Sequence, residues 1–118
     1  VCIPSSGTAT LETALMELPT VLVYKLAPVT WFLAKHLVHV KYAGLPNLLL
    51  NREVTPELLQ DAVTPEHIVE IAGAWITDEM KRQQNIQGLK EVRSKLGDSG
   101  AVRRTGELIL NTARIGKE

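Results

Sequence analysis

The chain has 118 residues, of which 45% are hydrophobic and 22% are charged, a composition typical of one globular unit with a single core. Its 13 basic and 13 acidic residues cancel, so no overall positive field attracts nucleic acid and we exclude that partner. The single cysteine, Cys2, forms no internal disulfide and fits a reducing compartment. The chain shows no signal-peptide pattern and no apolar run long enough to span a bilayer, so we expect a cytoplasmic protein. It has no initiator Met and opens inside an apparent strand, so we expect a fragment.

The first elements predict a β-α-β unit. Residues 1–3 have the character of a strand end, and residues 20–24 form an apolar run typical of a buried parallel strand. Between them, four apolar residues recur with helical spacing on one face: Leu11, Ala14, Leu15 and Leu18. A turn of small hydroxylated residues at 5–8 therefore opens a helix directly after a strand.

This turn has the chemistry of an anion site. The first turn of a helix leaves backbone N–H groups without helical partners and carries the positive end of the helix dipole, so a phosphate is a suitable ligand. Gly7 permits close approach of the backbone. Glu12 lies one turn beyond Thr8 on the same face, where its carboxylate can accept hydrogen bonds from sugar hydroxyls. The alternative is a capped core helix with a solvated Glu12.

The middle of the chain predicts a helix, an extended segment and a turn. Pro28 precedes a helix over 29–38, and residues 38–42 alternate like an edge strand. Residues 44–47 have turn chemistry and are followed by three leucines. No Asp or Glu occurs between Leu18 and Arg52, so this region is locally basic.

The second half is predicted to be helical, beginning with a short helical piece at 57–60. Thr64 as N-cap and Pro65 in the first turn start a helix. Its buried stripe comprises Ile68, Ile71, Ala72, Trp75 and Ile76. A polar helix over 78–96 ends at Gly97, and its narrow apolar side comprises Met80, Ile86, Leu89, Val92 and Leu96. A last helix covers 100–114, with an apolar side formed by Val102, Gly106, Ile109, Leu110 and Ala113.

Strands and helices that alternate and are followed by helices indicate an α/β fold, in which ligands bind at the carboxyl ends of the strands. The turn at 5–8 lies at the carboxyl end of the first strand.

The sequence contains neither the Gly-x-Gly-x-x-Gly fingerprint nor a Walker loop, which disfavours dehydrogenases and P-loop ATPases. Ser6 lacks the Gly-x-Ser-x-Gly context of a hydrolase nucleophile. His36 and His39 have no cysteine or carboxylate nearby, so we predict no metal site.

Four segments stand in an order and spacing that resemble the lipid-A-disaccharide synthase family. They are SGTATLE at 6–12, YKLAPVT at 24–30, LPNLL at 45–49 and PELLQ at 56–60. The resemblance is strongest over residues 1–75 and implies that 1–118 is one unit, the carboxyl-terminal half of a GT-B fold. In this half, residues 1–60 would form a Rossmann-like, UDP-sugar-binding part with a parallel sheet and covering helices, and residues 61–118 a helical part.

The resemblance also implies an activity. The family passes 2,3-diacylglucosamine from UDP-2,3-diacylglucosamine to 2,3-diacylglucosamine 1-phosphate and releases UDP, with inversion at the sugar. It implies that Ser6, Gly7 and Thr8 stabilise the UDP leaving group without a metal or other cofactor, and that Glu12 holds the ribose. The general base is expected in the amino-terminal half, so no catalytic residue is predicted in this chain.

Three further positions match the donor site of the family. Lys25 stands where the family commonly has Arg, so the charge is kept but the planar two-donor fork is lost. Asn47 and Gln60 carry amides that bond either the nucleotide or neighbouring loops.

The substrates of the family carry acyl chains and are drawn from a membrane. This implies that the protein is peripheral on the inner face of the inner membrane. The residues that would contact this surface or the acyl chains are Trp31, Phe32, Lys35 and Lys41. The alternative is that the two aromatic residues pack on the sheet. A homodimer is also among the partners implied.

Two other classes of protein stay open at this point. One is another GT-B enzyme acting on a UDP-amino sugar, such as the peptidoglycan-precursor transferase or the UDP-N-acetylglucosamine 2-epimerase, since a shared fold does not fix the acceptor. The other is a non-enzymatic α/β domain that serves only for protein contacts.

Overall fold

A computed structural model of the chain describes residues 1–5, 7–37, 41–97 and 99–115, and the side chains of these residues except those at 33–37, 114 and 115. The described part is mixed α/β, with a small parallel sheet and mostly helices. The elements in chain order are α1 Gly7–Leu15, β1 Leu22–Tyr24, α2 Pro28–Leu37, α3 Leu45–Leu50, β2 Glu57–Leu59, a 3-10 turn Gln60–Ala62, α4 Pro65–Thr77, α5 Glu79–Leu96 and α6 Ala101–Ile115.

Strand β1 lies between two parallel neighbours. On one side it pairs with β2, with Leu22 opposite Glu57 and Tyr24 opposite Leu59. On the other side it runs beside residues 1–4, where the N–H of Val23 donates to the carbonyl of Pro4 at 3.0 Å. The predicted order of extended segment, helix and parallel strand is therefore confirmed, with residues 1–4 joined to the sheet by the parallel bridge between Cys2 and Thr20 and not as a full strand. Since all three segments are parallel, their carboxyl ends lie at one edge of the sheet.

Two apolar clusters form the core of the described residues. One is formed where α4 packs on the strands, around Val21, Leu58 and Trp75. The other joins α1 and α5 through the segment before β2, and its buried members are Ala14, Val54, Leu89 and Val92. Val21, just before β1, and Val23 within it both belong to the first cluster, as expected of alternate residues in an extended segment, whose side chains share one face. The predicted core position of Trp75 is confirmed, with 6% of its surface exposed.

The prediction of a helical piece at 57–60 is wrong. Residues Glu57–Leu59 form strand β2, and the helical character is limited to the 3-10 turn that follows. The reason is tertiary, since Leu58 is buried against α4 while its neighbours on either side are only half-buried. This alternation is the pattern of a strand, but three residues are too few to display it in the sequence.

The turn predicted at 44–47 is also wrong. It is the start of α3, in which Gly44 is the N-cap and Pro46 occupies the first turn. The edge strand predicted at 38–42 falls partly on residues 38–40, which lie outside the described residues. Lys41 and Tyr42, which are described, adopt no strand.

The helices of the second half begin and end close to the predicted positions. The Thr64 side chain accepts a hydrogen bond from the N–H of His67, which confirms the predicted cap of α4. However, Ile76 is 70% exposed and Met80 is 72% exposed, so the prediction that they lie on the apolar sides of their helices is wrong. Met80 lies nine residues before Leu89, about half a turn away around α5. The apolar side predicted for α6 is exposed at Val102, Ile109 and Leu110.

Candidate nucleotide-sugar site

The carboxyl edge of the sheet collects three of the segments predicted to bind the donor. The segment at 1–4 leads to the start of α1, β1 leads to Lys25, and β2 leads to Gln60. The strand register sets this arrangement, because Tyr24 and Leu59 form the last pair of the ladder. The edge is therefore the place where a ligand would meet α1, Lys25 and the 3-10 turn together.

Helix α1 presents a polar face at this edge. Its first residue is Gly7, and Thr8 and Glu12 have exposed side chains one turn apart. Thr10 and Ala14 are fully buried, which fixes the orientation of the helix. Ser6, which was also predicted to bind the leaving group, lies outside the described residues. The positive end of the helix and a carboxylate one turn behind it suit a ligand that carries a phosphate and a diol.

Lys25 follows directly after β1 and has an exposed side chain. Its ammonium group can approach a phosphate as a single point charge with rotating donors. A lysine at this position therefore adds positive charge to the edge without fixing the orientation of the anion.

Gln60 lies beside the segment that carries Lys25. Its side-chain carbonyl accepts a hydrogen bond from the N–H of Leu26 at 2.6 Å, and its side-chain NH₂ donates to the carbonyl of Leu26 at 3.1 Å. The amide of Gln60 thus bonds a neighbouring loop, which is one of the two roles considered for it. Its backbone is left-handed, with a φ of 52°.

Asn47 lies away from this edge. Its side chain is fully buried, and its NH₂ group donates to the carbonyl of Thr55 at 2.6 Å and to the Glu57 carboxylate at 2.7 Å. Its side-chain carbonyl accepts from the N–H groups of Val54 at 2.7 Å and Thr55 at 2.9 Å. Both donors and both acceptor positions are used within the protein, so Asn47 also has a loop-bonding role.

Glu57 is the residue that sequence reasoning missed. Its carboxylate accepts hydrogen bonds from the N–H groups of Ala43 at 2.7 Å and Gly44 at 2.8 Å, in addition to the bond from Asn47. It thereby ties the start of α3 to the start of β2. The helical piece predicted at 57–60 gives no indication of these partners. A strand assignment would have indicated a need for partners, because an acidic side chain in a half-buried strand is stable only when it is hydrogen-bonded.

The aromatic and basic residues predicted at the membrane surface lie on α2 and in the segment after it. Phe32 is 63% exposed, so the alternative that it packs on the sheet is wrong for this residue, whereas Trp31 is half-buried. Lys41 is exposed, and its Nζ lies 5.2 Å from the centre of the Tyr42 ring, a cation–π contact. The side chain of Lys35 lies outside the described residues.

Among the residues that the structure describes, no three His, Cys, Asp or Glu side chains are grouped so that they could hold a metal ion. The side chains of His36 and His39 are not among those described. Within the described helices, none has the length and apolar character needed to cross a membrane.

The chain matches one protein family over most of its length. The family model described as lipid-A-disaccharide synthetase matches residues 1–111 of the chain. The chain belongs to this family. The resemblance carried by the four sequence segments is thereby confirmed.

Curated relatives carry the corresponding name. The chain is 43% identical over 105 residues to the lipid-A-disaccharide synthase of Persephonella marina, a match that covers 89% of this chain and 28% of the relative. It is 40% identical over 114 residues to the lipid-A-disaccharide synthase of Myxococcus xanthus, covering 96% of this chain and 30% of the relative. The chain therefore spans less than a third of the length of these synthases.

Proposed function

We propose that this chain is the UDP-sugar-binding, carboxyl-terminal half of a GT-B glycosyltransferase that makes the lipid A disaccharide. Residues 1–60 would form the nucleotide-binding part and residues 61–118 the helical part. The proposal rests on membership of the family and on one structural observation. The start of α1, Lys25 and the polar face that bears Glu12 belong to the carboxyl edge of one parallel sheet.

The proposed reaction moves 2,3-diacylglucosamine from UDP to 2,3-diacylglucosamine 1-phosphate. A hydroxyl oxygen of the acceptor forms a bond to the anomeric carbon as the bond from that carbon to the UDP oxygen breaks. The bonding electrons leave with UDP, and the hydroxyl proton passes to a general base. We assign this base to the amino-terminal half of the family fold, and no residue of this chain is given the role.

The role proposed for this half is to bind UDP and to stabilise the charge that develops on it. The N-terminus of α1, with Gly7, Thr8 and the predicted Ser6, faces the diphosphate, where donors fixed in advance stabilise the leaving group most effectively. Glu12 accepts hydrogen bonds from the ribose hydroxyls. Lys25 adds a point charge near the diphosphate.

Contact with lipid is the second part of the proposal. Val29 and Phe32 on α2 are 73% and 63% exposed, and Lys41 is exposed in the following segment. Apolar and basic side chains that are exposed close together in sequence suit the acyl chains of a substrate or the anionic surface of a membrane. We include Trp31 and Lys35 in this surface, which would make the enzyme peripheral on the inner face of the inner membrane. We also propose that the full-length protein forms a homodimer.

The test of nucleotide binding is calorimetric titration with UDP of a full-length family protein that carries this sequence. Replacing Glu12 by Ala is expected to weaken UDP binding by about 1–3 kcal/mol, the effect of losing one or two hydrogen bonds to a charged acceptor. Glu70→Ala is the matched control, since Glu70 is an exposed helical glutamate on α4. Equal affinity of the parent and the Glu12→Ala variant would remove Glu12 from the site.

Binding and turnover separate the remaining alternatives. A non-enzymatic domain would not bind UDP, whereas both kinds of GT-B enzyme would. Transfer to 2,3-diacylglucosamine 1-phosphate, but not to a peptidoglycan precursor, is expected of the lipid A enzyme.

A further inference from the structure

The side chain of Gln60 extends the parallel ladder beyond its last backbone pair. The ladder ends at Tyr24 and Leu59, after which the backbone of Gln60 turns into a left-handed conformation with a φ of 52°. The chain then leaves the sheet through the 3-10 turn. In place of a further backbone pair, the Gln60 side-chain oxygen accepts from the N–H of Leu26 at 2.6 Å, and its NH₂ group donates to the carbonyl of Leu26 at 3.1 Å.

This arrangement fixes the backbone of Lys25 on both sides. The preceding residue, Tyr24, is held in the ladder, and the following residue, Leu26, is held through both its N–H and its carbonyl. Both polar backbone groups of Leu26 are thus tied to the first residue of the 3-10 turn that follows β2. The exposed side chain of Lys25 is therefore attached to a backbone position that is fixed at the carboxyl edge of the sheet.

We infer that Gln60 is a positioning residue, which aims Lys25 at the anionic group of the donor and does not itself contact the nucleotide. The inference rests on the proposed function, because it supposes that a diphosphate binds at this edge. Two features favour it over direct contact. The amide already bonds Leu26 through both its oxygen and its nitrogen. The left-handed backbone, which a glutamine adopts less readily than a glycine, also indicates that this side chain is needed where it lies.

A double-mutant cycle tests whether Gln60 acts through Lys25. The affinity for UDP is measured by calorimetry in a full-length family protein that carries this sequence, for the parent, Gln60→Gly, Lys25→Ala and the double variant. Lys25→Ala is expected to weaken UDP binding about tenfold or more, since it removes a charged donor. Gln60→Gly is expected to weaken binding about three- to tenfold in the parent and to have no effect when Lys25 is already Ala.

The Gln60→Gly variant distinguishes an effect on the position of Lys25 from an effect on the stability of the fold. Glycine adopts a positive φ without strain, so Gln60→Gly should leave the thermal unfolding midpoint close to that of the parent while it releases Leu26. Asn51→Gly is the matched control, because Asn51 is also left-handed, with a φ of 51°, and is exposed at the end of α3. Its UDP affinity should equal that of the parent.

Three results would overturn the inference. Gln60→Gly could leave the UDP affinity unchanged, or it could weaken binding by the same factor with and without Lys25, which would indicate a direct contact or a general effect on the fold. Lys25→Ala could also have no effect on UDP binding. A parent protein that does not bind UDP would instead contradict the proposed function, and the inference would fall with it.

Discussion

Replacing Asn47 by Leu should destabilise the chain strongly and locally. The side chain is fully buried, and its amide makes four hydrogen bonds that join the loop before β2 to the Glu57 carboxylate. Leucine has a similar size and fills the same space, but it offers neither donor nor acceptor. The change therefore tests the hydrogen bonds of Asn47 and leaves the packing volume nearly unchanged.

The expected loss of stability is estimated from the backbone N–H groups that lose the Asn47 side chain as their acceptor. The N–H groups of Val54 and Thr55 are buried and donate to the Asn47 side chain. Each buried donor left without an acceptor costs about 1–3 kcal/mol, so the pair costs about 2–6 kcal/mol. The loss of the bond to Glu57 adds to this, although Glu57 keeps the N–H groups of Ala43 and Gly44. A loss of this size is a large fraction of the stability of a typical domain.

The assay is amide hydrogen exchange, which reports local opening, together with the thermal unfolding midpoint. Exchange at Val54 and Thr55 should be faster in Asn47→Leu by about 30-fold or more, equivalent to at least ~2 kcal/mol. The N–H of Trp31, which bonds the carbonyl of Ala27 at 2.9 Å, serves as an internal reference. Asn111→Leu is the matched control, since Asn111 is exposed on α6 and its replacement should change stability by less than about 0.5 kcal/mol.

One result would refute this reasoning. If Asn47→Leu abolished UDP binding while the exchange rates and the unfolding midpoint stayed those of the control, Asn47 would act on the nucleotide and the loop-bonding role would be incidental.

Two further predictions concern the chemistry and the lipid surface. Excess EDTA should leave the proposed sugar transfer by a full-length family protein that carries this sequence largely intact, because the N-terminus of α1 and Lys25 are proposed to supply the positive field at the diphosphate. A transfer rate that collapses and returns with Mg²⁺ would show that a metal ion supplies this field. Lys35→Glu combined with Lys41→Glu should reduce flotation of the protein with anionic vesicles at low salt, since each lysine near the surface contributes about 1 kcal/mol to the attraction. Equal flotation of parent and variant would exclude these lysines from a membrane contact.

The features that could be predicted from sequence are those specified by local chemistry. The order of extended segment, helix and parallel strand follows from two apolar runs on either side of a stripe with helical spacing, and the cap of α4 follows from Thr64 and Pro65. Trp75 completes a stripe on α4 and lies in the core as expected. The edge of the sheet where α1 begins could also be predicted, because parallel strands set their carboxyl ends side by side.

The features that could not be predicted depend on contacts distant in sequence. Strand β2 is three residues long, and only its pairing with β1 and the burial of Leu58 distinguish it from a helical turn. Helix α3 begins at residues with turn chemistry because the Glu57 carboxylate, 13 residues away, accepts the N–H of Gly44. The residues around Gly44 do not indicate a contact with Glu57, and the residues around Glu57 do not indicate a contact with Gly44.

The same contacts explain why two amides that look alike in the sequence have different consequences. Asn47 and Gln60 both bond loops, but they act at opposite ends of β2, a strand that spans about 10 Å at 3.3 Å per residue. Asn47 holds the amino end together with Glu57, where no segment of the proposed donor site lies. Gln60 holds the carboxyl end, where the segment it bonds carries Lys25. Loss of the Asn47 amide should therefore act on UDP binding only through stability, whereas loss of the Gln60 amide should act through the placement of one cation.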